Sequence, residues 1–159
     1  QYLLDNFKDR TWILRFAPVY SSNFLLNINR RTKIAGCYFK IGRGTKKLSL
    51  CNIENIYFAI KGILTGKIPA GEYNISDKKN YTYNTLLKSL NANWVFPIPE
   101  FLVKMWYYIG VKINNGFLKE NSIKLISDNL FLSDKIRNYI ELPSSLDYLF
   151  KNQYQKNRK

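Results

Sequence analysis

A dense group of cations gives the first indication of chemistry in this chain. Tyr38 and Phe39 lie inside the group. Aromatic faces beside cations suit a nucleotide, because phosphates meet the charge while the base stacks on a ring. The alternative is a solvated strand edge, where lysines discourage aggregation. We favour anion binding for the group, whose members are Arg30, Arg31, Lys33, Lys40, Arg43, Lys46 and Lys47.

The charge of the whole chain also points to acidic partners. Its 159 residues include 25 basic and 11 acidic side chains, which gives a formal net charge of +14. Nucleic acid, an anionic membrane and phosphorylated small molecules all fit this charge. The sequence has no aromatic-rich RNA-binding strand motif, helix-turn-helix or zinc module, so we do not expect nucleic acid as a partner. The alternative is a compositional bias that leaves most lysines solvated.

Several kinds of catalytic site are excluded by the residue types. Without histidine the chain cannot form a Ser-His triad or use histidine as a metal ligand. Cys37 and Cys51 are too few for a four-thiolate zinc site, and no acidic pair is spaced for two-carboxylate catalysis. A hairpin centred on Gly44 would bring the cysteines together, although small buried hydrophobic residues are the better interpretation. We therefore expect no metal and no catalytic residue in this chain.

The elements around the cations are predicted to be strand, basic turn, strand and helix, over residues 38–64. Gly42 and Gly44 permit a tight reversal, and period-two alternation over residues 47–51 predicts a half-buried strand. Asn52 can cap a helix, and the period becomes helical after it. The apolar face of that helix comprises Ile53, Ile56, Tyr57, Ile60, Ile63 and Leu64.

The remaining sequence predicts further short strands and helices. Residues 11–16 form a continuous apolar run, which predicts a buried strand of the parallel-sheet type. Residues 72–76 predict a strand with Tyr73 and Ile75 on one face, and Thr82 caps the following helix. Other predicted elements are a helix end at 1–7, a strand at 94–98, a helix at 122–127, an extended piece at 130–132 and a helix at 134–140 capped by Ser133.

Residues 101–109 predict a helix that is apolar almost all round and follows Pro99. A buried core or interface helix is the first interpretation. A helix on a membrane surface and the wall of a ligand pocket are the alternatives. No apolar run reaches the ~18 residues of a membrane span, and no signal peptide is visible. We expect a cytoplasmic protein without a membrane partner.

Five motifs, in order, resemble the extended short-chain dehydrogenases/reductases, the NAD-dependent epimerase/dehydratase family of nucleotide-sugar enzymes. Residues 13–20 (Ile-Leu-Arg-Phe-Ala-Pro-Val-Tyr) resemble its Leu-Arg-Pro-x-Asn-Val-Tyr-Gly-Pro, which ends the sixth Rossmann strand. Residues 41–56 resemble its Gly-x-Gly turn, strand and Val-x-Asp-Asp/Asn-Val helix entry. The others are residues 71–76, similar to a Gly-x-x-Tyr-Asn-Ile strand, the helix at 81–87, and residues 133–137, similar to Asp-x-Ser-Lys-x-Arg.

The resemblance implies the C-terminal lobe of an extended Rossmann-type enzyme, an α/β fragment of α+β-like character with short strands and several helices. Residues 1–20 would be a remnant of the Rossmann domain, 21–150 a substrate-binding lobe and 151–159 a basic tail. Because the match covers only the carboxy-terminal half of such an enzyme, the Rossmann half is an implied partner. The strand at residues 12–16 would have unpaired edges, which predicts a homodimer or strand exchange.

The same resemblance implies a site. Phe16, Pro18 and Val19 would lie near the nicotinamide of NAD or NADP, which the parent enzyme binds and this chain alone is not expected to hold. The implied substrate is a nucleotide-diphosphate sugar, with residues 40–41 beside its base and residues 46–48 facing its phosphates. The implied substrate contacts are Tyr20, Asn23, Lys40, Ile41, Lys46, Lys47 and Leu48.

Departures from the family pattern concern both substrate contacts and catalysis. The common Asn of the first motif is Pro18 here, and the phosphate-binding Arg falls near Leu48, so Lys46 or Lys47 would replace it. The cofactor's glycine fingerprint and the catalytic Tyr-x-x-x-Lys are expected to be missing from this chain, since Ser-Ser-Asn-Phe follows Tyr20. The implied function is the substrate-binding portion of an NAD(P)-dependent epimerase, dehydratase or reductase, inactive as an isolated piece. The alternatives are a non-catalytic basic module that binds anionic lipid or nucleic acid, and a degenerate pseudoenzyme.

Overall fold

The computed structural model describes residues 5–147. Within this range the chain divides into two compact units, each assembled from separate segments. The first unit contains residues 5–24, 49–80 and 131–147, and the second contains residues 25–48 and 81–130. The predicted basic tail, and most of the predicted helix end at residues 1–7, lie outside the described residues.

The described residues form nine short strands and six helices after a 3-10 turn at Lys8–Arg10. This composition confirms the predicted α/β fragment with short strands and several helices. The strands are β1 (Trp12–Phe16), β2 (Val19–Tyr20), β3 (Lys33–Ile34), β4 (Cys37–Ile41), β5 (Lys47–Leu48), β6 (Cys51–Asn52), β7 (Gly71–Ile75), β8 (Tyr81–Thr82) and β9 (Val95–Ile98). The helices are α1 (Leu26–Thr32), α2 (Ile53–Leu64), α3 (Tyr83–Ser89), α4 (Glu100–Lys112), α5 (Gly116–Ile126) and α6 (Asp134–Arg137).

Parallel strand pairs form the framework of the first unit. β1 pairs with β7, from Trp12 opposite Gly71 to Phe16 opposite Ile75, and β2 pairs with β6. The predicted parallel strand is confirmed, but its predicted burial is wrong, since Trp12 and Phe16 are 37% and 40% exposed. Among the described strands β1 has β7 as its single neighbour. The other edge of β1 therefore carries backbone groups that no described strand pairs with.

Helix α2 packs on the first unit through a side of small residues and through part of its apolar face. Asn55, Ala59 and Gly62 are its buried residues. A Cβ added to Gly62 would lie 2.8 Å from Ile68 Cδ1, so this glycine allows a close approach. The half-buried apolar residues Ile56, Phe58 and Ile63 pack against the same core cluster. The other large apolar residues stay exposed, and they are Ile53, Tyr57, Ile60 and Leu64.

The second unit contains a three-stranded sheet in the order β3-β4-β9, with β4 antiparallel to β3 and parallel to β9. A separate antiparallel pair joins β5 to β8, with Leu48 opposite Tyr81. β4 and β5 are thus not paired with each other, and the predicted hairpin around Gly44 is wrong. Each of the two strands instead takes a partner from residues 81–98, so the glycine turn connects two different sheets.

Helix α4 contributes little to the core of the second unit. Its buried residues are Val103 and Gly110, so the prediction of a core helix is wrong for most of residues 101–109, and the prediction of an interface helix stays a prediction. α4 packs against α5 at Gly110, where an added Cβ would lie 2.9 Å from the backbone nitrogen of Lys119. Among the helices of residues 5–147, none combines the length and apolar character needed to cross a bilayer. The buried cluster of this unit comprises Phe39, Ile41, Tyr83, Leu87 and Val103.

Most local signals for helix starts are confirmed. Asn52 Oδ1 accepts a hydrogen bond from the Glu54 amide at 2.9 Å at the start of α2, and Thr82 and Thr85 form a reciprocal capping box on α3. The predicted Ser133 cap is wrong, because other side chains engage its hydroxyl.

Two helix boundaries and one strand differ from prediction. α5 begins at Gly116, well before residue 122, because Asn115 Oδ1 accepts a hydrogen bond from the Leu118 amide at 3.1 Å. α6 ends at Arg137, short of the predicted residue 140. Residues 130–132 are not in a strand. The strand pairing nearby is a single bridge between Leu48 and Asn129.

Candidate functional site

The basic turn between β4 and β5, residues 42–46, is the candidate anion site of the second unit. Gly42 and Gly44 have φ angles of 53° and 72°, the left-handed conformation that glycine adopts without strain. Arg43 in the turn and Lys47 at its end are exposed. The predicted reversal is confirmed, and it presents cations to solvent.

Hydrogen bonds from other segments of the second unit fix the backbone around this turn. Asn84 Nδ2 donates to the Arg43 carbonyl oxygen at 2.9 Å, and the Asn84 amide donates to the Gly44 carbonyl oxygen at 3.2 Å. The Lys47 amide donates to Asp128 Oδ1 at 2.8 Å, and the Asn129 amide donates to the Lys47 carbonyl oxygen at 2.9 Å. An anion would therefore meet cations held on an ordered backbone, which lowers the entropy cost of binding.

One carboxylate competes for the charge of the turn. Glu100 Oε1 lies 3.8 Å from Lys46 Nζ and 3.4 Å from Lys104 Nζ. Lys46 is half-buried, whereas Lys47 is exposed. An incoming anion thus meets Lys47 directly and competes with Glu100 for Lys46.

The other predicted contacts in this unit differ in access to solvent. Ile41 and Leu48 are each 2% exposed, so their side chains belong to the core and only their backbone can meet a ligand. Lys40 is half-buried, and its stem runs past Gly44, where an added Cβ would lie 3.2 Å from Lys40 Cδ. The sequence analysis did not identify Asn84 as a residue that supports the turn. The indication in the sequence was its position two residues after the Thr82 cap.

A buried carboxylate organises the polar interior of the first unit. Asp77 is 3% exposed. Its Oδ2 accepts a hydrogen bond from the Tyr20 hydroxyl at 2.6 Å, and its Oδ1 accepts from the Asn52 amide at 2.8 Å and from Asn55 Nδ2 at 2.9 Å. Asn55 Nδ2 also donates to the Ser144 carbonyl oxygen at 2.9 Å. Asp77 thus joins β2, β6 and α2, a role that the sequence analysis did not assign to it.

Arg137 provides the second polar connection in this unit. Its Nη2 donates to the Ser76 carbonyl oxygen at 2.8 Å, its Nη1 to the Leu142 carbonyl oxygen at 3.2 Å and its Nε to Ser133 Oγ at 3.0 Å. Burial lowers the pKa of the Arg137 guanidinium, and the nearby Asp77 carboxylate opposes that shift. The side chain ties α6 to the end of β7, so this network is structural. Across residues 5–147 no group of three or more cysteine or acidic side chains is placed to hold a metal ion.

The predicted cofactor and substrate contacts of the first unit differ in their exposure to solvent. Phe16 at the end of β1 and Asn23 in the following turn are exposed, and Pro18 and Val19 are half-buried. Tyr20 is fully buried and its hydroxyl is bound to Asp77. Phe16, Pro18, Val19 and Asn23 remain accessible for a ligand, while Tyr20 acts through packing.

The catalytic spacing that we expected to be missing does occur in this chain. Tyr57 and Lys61 on α2, and Tyr108 and Lys112 on α4, are each Tyr-x-x-x-Lys. On a helix this spacing simply places the two side chains on one face. All four residues are exposed. Both pairs come after the motif at residues 13–20, whereas the resemblance places the catalytic pair before that motif. The statement that the chain lacks the pattern is therefore corrected, and the expectation that the catalytic pair lies elsewhere stays a prediction.

The two cysteines should differ sharply in reactivity. Cys37 is exposed and Cys51 is buried, and both are free thiols. Burial, with a smaller effect of the Asp77 carboxylate, raises the pKa of Cys51 to about 12. Since the thiolate is the reactive form, we expect iodoacetamide to modify Cys37 alone in the folded chain at neutral pH. The interpretation of both cysteines as buried hydrophobic residues is wrong for Cys37.

Peptide mass spectrometry after timed alkylation measures this difference, with a Cys37→Ser variant as the control. That variant should gain label only after urea unfolding, and equal labelling rates for the two native thiols would contradict the burial. The raised pKa also has a stability consequence. The contribution of the protonated thiol is present below the reference pKa of 9.0 and is lost as the pH rises towards 12.

Comparison with solved structures identifies the fold. UDP-glucose 4-epimerase from Thermotoga maritima, solved with UDP-glucose, is similar with a TM-score of 0.57 and 14% identity, over 99% of this chain and 50% of that chain. dTDP-glucose 4,6-dehydratase from Bacillus anthracis, solved with NAD, gives 0.56 and 14%, over 98% and 48%. A functionally unknown conserved protein from Silicibacter pomeroyi gives 0.59 and 12%, over 89% and 48%. No protein-family model and no curated protein matches this chain.

At these identities the similarity shows the fold. The chain has the fold of the carboxy-terminal part of extended short-chain dehydrogenase/reductase structures. It spans about half the length of the structures that it matches. The resemblance drawn from the motifs is thus confirmed at the level of the fold.

Proposed function

We propose that this chain is the substrate-binding portion of an NAD(P)-dependent nucleotide-sugar epimerase, dehydratase or reductase. The fold supports the general kind, because proteins that share it include a UDP-glucose 4-epimerase and a dTDP-glucose 4,6-dehydratase. The observation that carries the proposal for this chain is the basic turn after β4. Its backbone is fixed by Asn84 and Asp128, and it holds Arg43 and Lys47 in solvent.

The chemistry of that turn suits a diphosphate. A diphosphate is dianionic, and charge-assisted hydrogen bonds from Arg and Lys are its strongest protein contacts. Arg43 can engage two phosphate oxygens at once, and Lys47 adds a point charge. Lys46 would leave Glu100, 3.8 Å away, for the doubly charged diphosphate. Lys40 and the backbone of Ile41 and Leu48 remain the proposed contacts beside the base and phosphates.

A nicotinamide cofactor fits only part of the first unit. Ligands of parallel sheets bind beyond the carboxyl ends of strands, and Phe16, Pro18 and Val19 follow the end of β1 with accessible surface. These side chains can form an apolar wall for a nicotinamide ring, which would accept or give a hydride when bound. They include no cation for the dinucleotide phosphates, so we assign those phosphates to another part of the parent enzyme. The chain by itself should not turn over substrate.

The exposed apolar surface of the first unit favours a missing partner half. β1 has an edge that no described strand pairs with, and Trp12 and Phe16 on β1 are exposed. The large residues of α2 also face solvent, among them Tyr57 and Leu64. Open strand edges and contiguous apolar surface mark interfaces. A Rossmann half that extends the parallel sheet would cover both features.

Titration calorimetry with UDP-glucose and dTDP-glucose tests the proposed substrate class. We expect saturable binding that weakens about tenfold or more in Lys46→Ala/Lys47→Ala, which removes two charged phosphate contacts. The matched control is Lys88→Ala/Lys119→Ala, which removes the same charge from exposed positions of the same unit. Equal losses in both double variants would contradict a built site. A steep salt dependence with any polyanion would instead support the basic-module alternative.

A further inference from the structure

The helical hairpin formed by α4 and α5 exposes an unusual amount of apolar surface. Phe101 is 66% exposed, Tyr108 is 68% exposed and Phe117 is 76% exposed. The core of the second unit takes only Val103 and Gly110 from α4. Large apolar groups rarely face water together unless a partner covers them. Other exposed hydrophobic residues of the hairpin are Met105, Trp106, Ile109, Val111, Ile113 and Ile123.

The apolar surface of α4 forms a shallow groove that also contains lysines. Phe101, Met105 and Ile109 line it together with Lys104 and Lys112. Lysine stems can cover apolar surface while their ammonium groups remain in water. The groove therefore offers apolar side chains and cations on one surface, and its occupant should be both apolar and anionic.

A second copy of this chain does not meet that description. The acids of the hairpin are Glu100 and Glu120, and each already lies 3.4 Å from a lysine of its own helix, Lys104 and Lys124. Stacking two such surfaces would set the lysines of the two grooves against each other without free carboxylates to neutralise them, and like charges in contact oppose association.

We propose that the α4–α5 hairpin binds the surface of an anionic phospholipid bilayer. α4 has 13 residues, which at 1.5 Å per residue gives a helix of about 20 Å, too short to span the hydrocarbon core and suited to lying in the interface. Tyr108, which lines the groove, carries an amphipathic ring of the kind that settles at headgroup level. Lys104 and Lys112 would meet the phosphates of anionic lipids. This departs from our sequence-based expectation of no membrane partner, because the structure leaves α4 outside the core.

Vesicle binding tests the hairpin directly. In a Trp12→Phe/Trp94→Phe/Trp106→Phe/Tyr108→Trp variant, the single tryptophan stands at a position that lines the groove, and its emission should shift to the blue with vesicles of equimolar phosphatidylcholine and phosphatidylglycerol. We expect little shift with pure phosphatidylcholine vesicles, and a loss of the shift at high salt. An unchanged emission spectrum with anionic vesicles would overturn the proposal. In the Phe16→Lys background, which removes pairing through β1, a blue-shifted spectrum without vesicles together with a dimer would assign the groove to a second copy and overturn it as well.

Sedimentation with the same vesicles, using the natural tryptophans, provides the matched comparison. Phe101→Ser/Tyr108→Ser should reduce partitioning about tenfold or more, because it removes two large apolar side chains from the interface. Trp94→Ser is the control, since Trp94 is 90% exposed in the same unit but lies outside the hairpin. Circular dichroism should confirm that these surface variants fold. Equal losses in the two variants would show that exposed aromatic residues in general, and not the hairpin, mediate the binding.

Discussion

Replacing Asp77 with alanine is expected to lower the free energy of unfolding by about 3 kcal/mol. The carboxylate is 3% exposed and accepts three hydrogen bonds, from the Tyr20 hydroxyl, the Asn52 amide and Asn55 Nδ2. Alanine would remove from the buried interior the acceptor that these three donors share. Denaturant unfolding followed by circular dichroism measures the effect as a shift of the midpoint.

The control for this prediction is Asp147→Ala. Asp147 also forms a close charged contact, 2.7 Å from Lys79 Nζ, but both partners are exposed. An exposed pair of this kind contributes about 0–1 kcal/mol. We therefore expect the Asp77 variant to lose at least twice as much stability as the control. Similar midpoints for the two variants would contradict a central role for Asp77.

The second large effect is expected in the association state of the chain. β1 has an edge that no described strand pairs with, and Phe16 at its end is 40% exposed. An open strand of this kind is a template for pairing with another chain. In the absence of the proposed Rossmann half, we expect sedimentation velocity to show a dimer formed through β1. A monodisperse monomer would contradict this prediction.

A charged substitution on the edge strand distinguishes pairing through β1 from nonspecific apolar association. Phe16→Lys should yield monomers, because lysine on an edge strand opposes pairing. Leu26→Lys is the matched control, since Leu26 is an apolar residue of similar exposure on α1. The control should remain dimeric. Loss of the dimer in both variants would show that added charge, and not the β1 edge, governs association.

Local features of this fold could be predicted from the sequence, because neighbouring residues determine them. The Asn52 and Thr82 caps use side chains that reach amides two or three residues away. The alternation in β7 buries Tyr73 and Ile75 as predicted. The reversal at Gly42 and Gly44 follows from the freedom of glycine at positive φ.

Features that depend on distant partners could not be predicted in the same way. The pattern of α2 identifies an apolar face, of which Ile56 and Ile63 pack against the core. The fully buried side instead contains Ala59 and Gly62, where the helix can approach Ile68 closely. The apolar run at β1 is typical of a strand covered on both faces, and the structure leaves Trp12 and Phe16 exposed. We infer that this composition reflects a layer contributed by the proposed missing half.

The candidate site also combines features that neighbouring residues determine with features that depend on distant residues. The cations and glycines of the turn were visible as a local cluster in the sequence. Its supports were not, because Asn84 and Asp128 lie far along the chain and look like ordinary polar loop residues. Asp77 could not be recognised for the same reason, because the sequence does not show whether an aspartate is buried or lies in a solvated turn. Polar residues next to strands with buried neighbours are the signal that would have singled them out.

We propose above all that the turn after β4 binds the diphosphate of a nucleotide sugar. Amide NMR spectra recorded during a titration with UDP-glucose test it most directly, with inorganic pyrophosphate as the comparison ligand. The proposal predicts saturable shifts centred on residues 40–48, at lower concentrations of UDP-glucose than of pyrophosphate. Shifts confined to other residues, or equal responses to the two ligands, would contradict it.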